Sequence, residues 1–263
     1  MKHSLAALVM VGVLSACATT TSSTGRTQYV GAVSEQQLHQ LGAQAFTEAR
    51  QKGPLSTDAR QNAYVRCVVD ALVRQLPAAQ RQLAWETAVF AQDEPNAFAL
   101  PGGKVGINSG LFKVARSQDQ LAAVVAHEIG HVVERHHDER ITRQMGAAGV
   151  VQLLGALAGD YGQLATQGGG LLAQTGFLLP GSRAQESEAD VVGQRLMAQA
   201  GFDPRAAVGL WENMIAAGGS RPPQWLSTHP DPQSRIAELR ARAEQLVPTW
   251  QQARAAGRRP ACG

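Results

Sequence analysis

The stretch SQDQLAAVVAHEIGH, residues 117–131, decides the fold of this 263-residue chain. Ser117 begins a predicted helix, and Gln120 stands where the partner residue of a capping box is expected. The residues that follow are mostly apolar, and two valines continue the run beyond residue 131. We expect a helix that runs to about His136 and is largely buried, because a solvated helix would carry a continuous polar face.

Three polar residues, His127, Glu128 and His131, interrupt this apolar helix. Residues four apart lie on one helix face, so both imidazoles can reach the same zinc ion. Glu128 lies beside them and can accept a proton from a water molecule at the metal. A solvated polar face is the alternative, but buried histidines and a buried glutamate need partners. The pattern therefore predicts one zinc per chain, with Glu128 as a catalytic general base.

A second acidic cluster, Glu186-Ser187-Glu188-Ala189-Asp190, can complete the site, since catalytic zinc commonly has three protein ligands. Glu186 and Asp190 are four apart and share a helix face, whereas Glu188 points elsewhere on an ideal helix. We expect Glu186 to bind the metal and Asp190 to orient a zinc-bound histidine. An acidic first turn that complements the helix dipole is the alternative for this cluster alone. Because the cluster occurs together with the His127 motif, we favour the interpretation in which it supplies a metal ligand.

The rest of the chain predicts an α+β fold that is mainly helical and has a small antiparallel β-meander. Caps, stops and helical spacing predict further helices over about 34–52, 58–76, 186–200, 203–217 and 231–247. Short runs predict strands at 83–91, 97–100 and 104–108. Residues 145–181 are rich in glycine, alanine and leucine and predict loosely packed apolar helices. No internal repeat is visible, so docking through repeats is not expected.

Residues 1–16 predict a signal peptide, with Lys2 followed by an apolar run. That run is about half the roughly 20 residues that a membrane-spanning helix needs. The sequence Leu14-Ser-Ala-Cys17 resembles a bacterial lipobox, so we expect Cys17 to be lipidated. An ordinary signal peptide with an incidental cysteine is the alternative. Ala18, where aspartate would signal retention at the inner membrane, favours a periplasmic protein anchored to the outer membrane of a Gram-negative bacterium.

Serine and threonine after Cys17 predict a flexible tether over 17–29, followed by a zinc metallopeptidase domain over 30–247 and a C-terminal tail over 248–263. The net charge of +3 is too small to indicate a nucleic-acid partner. In an oxidising periplasm Cys67 and Cys262 can form a disulfide, and two separate thiols are the alternative. The sequence does not indicate the oligomeric state.

From about Val30 to about Leu246 the chain resembles the HtpX-like and Oma-like zinc metallopeptidases, which are gluzincins, and in particular their periplasmic lipoprotein branch. Five patches carry the resemblance: 96–99 with 101–103, 110–112, the His127 motif, 186–190 with Gly193, and 228–230 with Arg235. The resemblance implies a zincin-like fold in which Glu186 is the third ligand, and Asp190 and Arg235 support the site. It also implies that an edge strand binds the substrate peptide along Asn96, Ala97, Phe98 and Ala99.

The resemblance places His229 near the zinc, where we expect a catalytic role. His229 can cover the open metal position at rest, together with segment 145–181, or donate to the oxyanion of the substrate. The expected function is an endopeptidase that acts on unfolded or misassembled cell-envelope proteins. The alternative is a zinc-stabilised, chaperone-like assembly factor with minor peptidase activity. The presence of Glu128 favours the enzyme.

Overall fold

A computed structural model describes residues 18–143, 181–218, 229 and 232–263. The expected signal peptide, the lipidated Cys17 and almost the whole of segment 145–181 lie outside these residues. Among the residues described, no helix is both long enough and apolar enough to cross a membrane.

The fold is α+β and mainly helical, which confirms the predicted class. The strands are β1 (Ala18–Thr21), β2 (Thr27–Val30), β3 (Glu86–Phe90), β4 (Ala97–Leu100) and β5 (Lys104–Asn108). The first helices are α1 (Glu35–Lys52), α2 (Ala59–Val73), α3 (Ala78–Arg81), α4 (Gln118–Val133) and α5 (136–143). They are followed by α6 (Arg183–Ala200), α7 (Ala206–Gly218) and α8 (Pro232–Ala255).

Helix α4 is the centre of the domain. The side chain of Ser117 caps it by accepting a hydrogen bond from the backbone N–H of Gln120. The helix ends at Val133, earlier than the sequence suggests, because Arg135 adopts a left-handed conformation with φ of 54°. Helix α5 then starts at His136. The main core surrounds α4 with apolar side chains of α2, the sheet, α6 and α7. Leu121 and Ile129 of α4 are fully buried against them, as are Leu72, Ile107, Met197 and Leu210 of the surrounding elements.

The larger sheet has the order β3-β5-β4, with β3 parallel and β4 antiparallel to β5. The expectation of an antiparallel meander is therefore wrong in its strand order, although the three strands are present. The reason lies in the 91–96 loop, which crosses the end of β5. The Asn108 side chain donates to the Glu94 carbonyl at 3.1 Å, and Gly110 N–H donates to the Gln92 carbonyl at 2.8 Å. These bonds hold the loop so that β4 pairs on the far side of β5.

The expected flexible tether is corrected for residues 18–29. Strands β1 and β2 form an antiparallel hairpin, in which Ala18 pairs with Val30 and Thr21 with Thr27. Threonine-rich segments suit strands when they have something to pack against. The hairpin packs on the rest of the domain: Val30 is buried, and the Gln28 side chain donates to the Glu134 carbonyl at 2.7 Å.

The expected C-terminal tail is corrected in the same way. Helix α8 does not end at Val247 but continues through Pro248 to Ala255. A proline inside a helix removes one backbone hydrogen bond. Packing of the last turns offsets this loss, because Ala253 is fully buried and the Trp250 indole donates to the Gly201 carbonyl at 3.0 Å.

A disulfide joins Cys67 of α2 to Cys262, with their Cα atoms 5.5 Å apart. The same terminal segment is bound to the start of α4. The Gln118 side chain donates to the Pro260 carbonyl and accepts from the Cys262 N–H, both at 2.9 Å. The end of the chain is therefore attached to the helix that carries the His-Glu-x-x-His motif.

We predict that Cys262→Ser lowers the free energy of unfolding by about 2–4 kcal/mol, since the disulfide closes a long loop of the unfolded chain. Urea unfolding measures the change. Addition of reductant to the wild-type protein should lower its free energy of unfolding by the same amount. The neighbouring exposed Ala261→Ser is the control and should be neutral. Equal stability of wild-type protein with and without reductant would contradict the prediction.

Candidate metal centre

Four buried side chains bring potential metal ligands together: His127, His131, Glu186 and His229. One donor atom from each lies within 4.8 Å of the others. The Nε2 atoms of His127 and His131 are 3.1 Å apart, and the two Glu186 oxygens lie 3.4 and 3.6 Å from them. Helix α4 supplies the two histidines one turn apart, and α6 supplies the glutamate from its first turn.

The donor set fits a divalent transition-metal ion. Glu186 Oε1 is buried and has no hydrogen-bond partner among the residues that the structure describes, which is costly for a carboxylate oxygen. Two imidazole nitrogens that face each other at 3.1 Å cannot both carry a proton without repulsion. A cation between these atoms would give the Glu186 oxygen a partner and would bind the lone pairs of both imidazole nitrogens. Imidazole with carboxylate is a donor combination that such metals accept.

Two glycines allow α4 and α6 to approach closely enough to share these ligands. A Cβ at Gly130 would lie 2.9 Å from the Ala189 carbonyl oxygen, and a Cβ at Gly193 would lie 2.9 Å from the His127 backbone nitrogen. Both contacts are with backbone, which cannot move aside as a flexible side chain can. The short distance between the motif helix and the Glu186 helix therefore requires glycine, which has no side chain, at both positions.

Asp190 and Arg235 support one side of the donor set. Asp190 Oδ1 is 3.0 Å from His127 Nδ1, the ring nitrogen that faces away from the other donors. Arg235 donates to both oxygens of Asp190 at 2.7 and 2.8 Å and to Glu186 Oε2 at 2.9 Å. Its guanidinium also lies 4.1 Å from the centre of the Trp211 ring. Arg235 thus fixes two carboxylates and, through Asp190, the ring of His127.

The electrostatics keep both carboxylates ionised. Burial raises the pKa of Glu186, but His229, His127 and Arg235 outweigh burial and lower it to about 2. Burial likewise raises the pKa of Asp190, and Arg235 and His127 hold it well below its usual range. Burial lowers the pKa of His127, whereas hydrogen bonds to Asp190 and Glu186 raise it to about 9. A metal that binds His127 must displace this proton, so binding releases a proton.

Glu128 and His229 lie together at the same centre. Glu128 follows His127 on α4 and is buried, and its Oε1 is 3.3 Å from His229 Nε2. The His229 ring centre is 5.1 Å from that of His127 and 5.6 Å from that of His131. Glu128 is therefore adjacent to the donor set without belonging to it.

The structure brings together seven of the residues selected from the sequence: His127, Glu128, His131, Glu186, Asp190, His229 and Arg235. The segment Asn96–Ala99 lies outside the donor set, at β4, which packs against the motif helix α4. Among the described strands, β4 is an edge of its sheet. Cys67 and Cys262 lie apart from the donor set, in the disulfide at α2.

Sequence reasoning missed Arg26, His136 and Glu188 as site residues. His136 Nδ1 lies 2.8 Å from His131 Nδ1, and its Nε2 lies 3.0 Å from Glu188 Oε2. Burial lowers the pKa of His131 well below its usual value, and it also lowers the pKa of His136 despite the Glu188 hydrogen bond. Both shifts favour the neutral form of the ring at neutral pH. Glu188 is outside the donor set, as its helix position suggests. The available signal was a third histidine five residues after His131.

Two histidines on one helix, a glutamate between them and a carboxylate from a second helix form a metallopeptidase-type site. Residues 59–243 match peptidase family M48. The chain therefore belongs to peptidase family M48, and the family expected from the motifs is confirmed.

Relatives of this chain occur in bacteria and in mitochondria. It is 43% identical over 159 residues to the mitochondrial metalloendopeptidase OMA1 of Schizosaccharomyces pombe, covering 60% of this chain and 46% of that protein. It is 34% identical over 236 residues to the beta-barrel assembly-enhancing protease of Escherichia coli, covering 86% of this chain and 47% of that protein. The chain thus spans about half the length of these curated relatives.

We predict that Gly193→Ala destabilises the fold by about 1–3 kcal/mol and weakens metal binding, because its Cβ pushes α6 away from the His127 backbone. Gly209→Ala is the matched control, since its Cβ would meet only the flexible end of Gln120 at 3.1 Å. The control should be neutral or up to about 1 kcal/mol stabilising. Urea unfolding and metal titration measure both effects, and identical behaviour of the two variants would contradict the role of Gly193.

Proposed function

We propose that this chain is a zinc-dependent endopeptidase that holds one zinc ion with His127, His131 and Glu186. The observation that carries the proposal is the convergence of three buried donor side chains, with Glu128 beside them. Within the described part of the chain, Glu186 Oε1 has no hydrogen-bond partner. Three protein ligands of these types suit catalytic zinc, which keeps one position open for the reaction. Membership of peptidase family M48 supports the same reading.

Each residue then has a defined task. Bound zinc supplies a Lewis acid for the scissile carbonyl and lowers the pKa of water. Glu128 accepts the proton of the attacking water and transfers it to the departing amine. Asp190 holds the His127 ring in orientation, and Arg235 fixes Asp190 and Glu186. His229 lies where it can either complete the metal donors at rest or donate to the oxyanion.

The substrate lies as an additional strand along Asn96, Ala97, Phe98 and Ala99. Within the part of the chain that the structure describes, β4 pairs with β5 alone, so its other side can accept an extended peptide. Strand addition binds the substrate through hydrogen bonds to its backbone, and it requires an extended segment. Unfolded or misassembled proteins provide such segments, and the name of the Escherichia coli relative supports proteins of the cell envelope as the substrates.

A chaperone-like assembly factor stabilised by zinc is the second candidate. Its support is the same relative, whose name refers to β-barrel assembly. Glu128 favours the enzyme, because a purely structural zinc site gains nothing from a buried carboxylate beside its ligands. The peptidase therefore remains the proposal.

We propose that the chain acts in the periplasm, attached to the outer membrane by lipid on Cys17. The lipobox-like sequence Leu14-Ser-Ala-Cys17 and the bacterial relatives support this location.

We predict that Glu128→Gln retains zinc and fold but loses about 10²–10⁴ of the cleavage rate, since only the proton acceptor is removed. Digestion of an unfolded casein-type protein measures the rate, and metal analysis measures zinc. A chelator should abolish wild-type cleavage, and added zinc should restore it. Glu212→Gln, on the exposed face of α7, is the control and should cleave normally. Near-normal turnover of Glu128→Gln would overturn the enzyme proposal.

We also predict that the wild-type chain fractionates with the outer membrane, whereas Cys17→Ser becomes soluble in the periplasm and still cleaves peptides. Membrane fractionation and mass analysis of the N-terminal peptide measure the two outcomes. Wild-type protein found entirely in the soluble fraction would rule out the lipid anchor.

A further inference from the structure

The two histidines of the motif helix are supported differently. His127 presents Nδ1 to the Asp190 carboxylate, the usual partner that orients a metal-bound imidazole. His131 presents Nδ1 to another imidazole, that of His136, at 2.8 Å. Two ring nitrogens at this distance share one proton, so the identity of the donor matters.

The donor follows from the proposed role of His131, on which this inference rests. If Nε2 of His131 binds zinc, the neutral ring carries its proton on Nδ1 and donates it to His136 Nδ1. His136 must then carry its own proton on Nε2. That nitrogen lies 3.0 Å from Glu188 Oε2, which accepts the proton in a hydrogen bond. Every polar atom of the two rings is thereby used once.

The far end of this chain of contacts is held by the β1–β2 hairpin. Ser22 and Thr24 donate to Glu188 Oε1, the latter at 2.5 Å, and Arg26 donates to Oε2 at 2.8 and 2.6 Å. Arg26 also donates to both oxygens of Glu139 on α5 at 2.7 Å. The hairpin thus supplies three side chains that fix the carboxylate of Glu188.

We propose that His136 is the positioning residue of His131, and that the β1–β2 hairpin acts on the metal site by fixing His136 through Glu188. His136 is completely buried, and the Glu188 side chain is only 5% exposed. A buried carboxylate and a buried imidazole in contact impose one arrangement on each other. Removal of the hairpin contacts releases Glu188, which releases the His136 ring and loosens His131.

Zinc affinity of the detergent-solubilised full chain tests the proposal, measured by competition with a chromophoric chelator. We expect His136→Leu to lower affinity about 10–100-fold, as loss of a partner of a metal ligand does. His136→Asn retains an acceptor near the position of Nδ1 and should recover part of the loss. The visible spectrum of the cobalt-substituted protein should change in His136→Leu and return toward wild type in His136→Asn.

The hairpin has its own matched pair of variants. Arg26→Gln should lower zinc affinity by about tenfold. Arg143→Gln is the control, because Arg143 also donates to Glu139, at 2.6 Å, but among the described contacts makes none with Glu188. Arg143→Gln should bind zinc as the wild type does.

The outcomes separate this inference from the proposed function. A wild-type chain that binds no zinc overturns the proposed function itself. Wild-type binding with unchanged affinity and cobalt spectrum in His136→Leu overturns the positioning role. If His136→Leu does not fold, His136→Asn and the arginine pair decide: equal affinities of Arg26→Gln and Arg143→Gln overturn the action of the hairpin.

Discussion

The close contact between α4 and α6 is the constraint on which the rest of the structure depends. The ligand set is divided between these helices, so their separation fixes the distance from Glu186 to both histidines. Gly130 and Gly193 permit backbone to pack against backbone at this crossing. Such contacts are stiff, because neither side can adjust by rotating a side chain. The domain around α4 therefore holds the donors in place through packing that is mostly apolar.

This packing places several charges where water cannot screen them. Glu128, Glu186 and Asp190 are all buried, and buried carboxylates are stable only beside positive charge and hydrogen-bond donors. Arg235 donates hydrogen bonds to two of them, Glu186 and Asp190. A divalent cation among the donors would offset the negative charge that Arg235 leaves uncompensated. The same arginine stacks on Trp211 of α7, so its position is fixed by the core as well as by the carboxylates. The site and the core are therefore one structure.

Local signals made much of this predictable from the sequence. The cap at Ser117, the four-residue spacing of His127 and His131, and that of Glu186 and Asp190 depend only on helix geometry. The strand order was not predictable, because it depends on bonds from Asn108 to a loop earlier in the chain. The role of residues 18–29 was hidden for the same reason. Arg26 contacts a carboxylate 162 positions away, and serine and threonine content alone indicates flexibility.

Helix α6 carries both a residue predicted from local spacing, Glu186, and one whose contacts are long-range, Glu188. Glu186 and Glu188 are two residues apart, which on a helix turns their side chains to nearly opposite faces. One face meets the histidines of α4, and the other meets His136 and the hairpin. The helix is therefore held from both sides. If Cys17 carries lipid as proposed, the anchor is adjacent to the first residue of β1, with no tether between them. The structure that attaches the chain to the membrane would then be the structure that supports one side of its metal site.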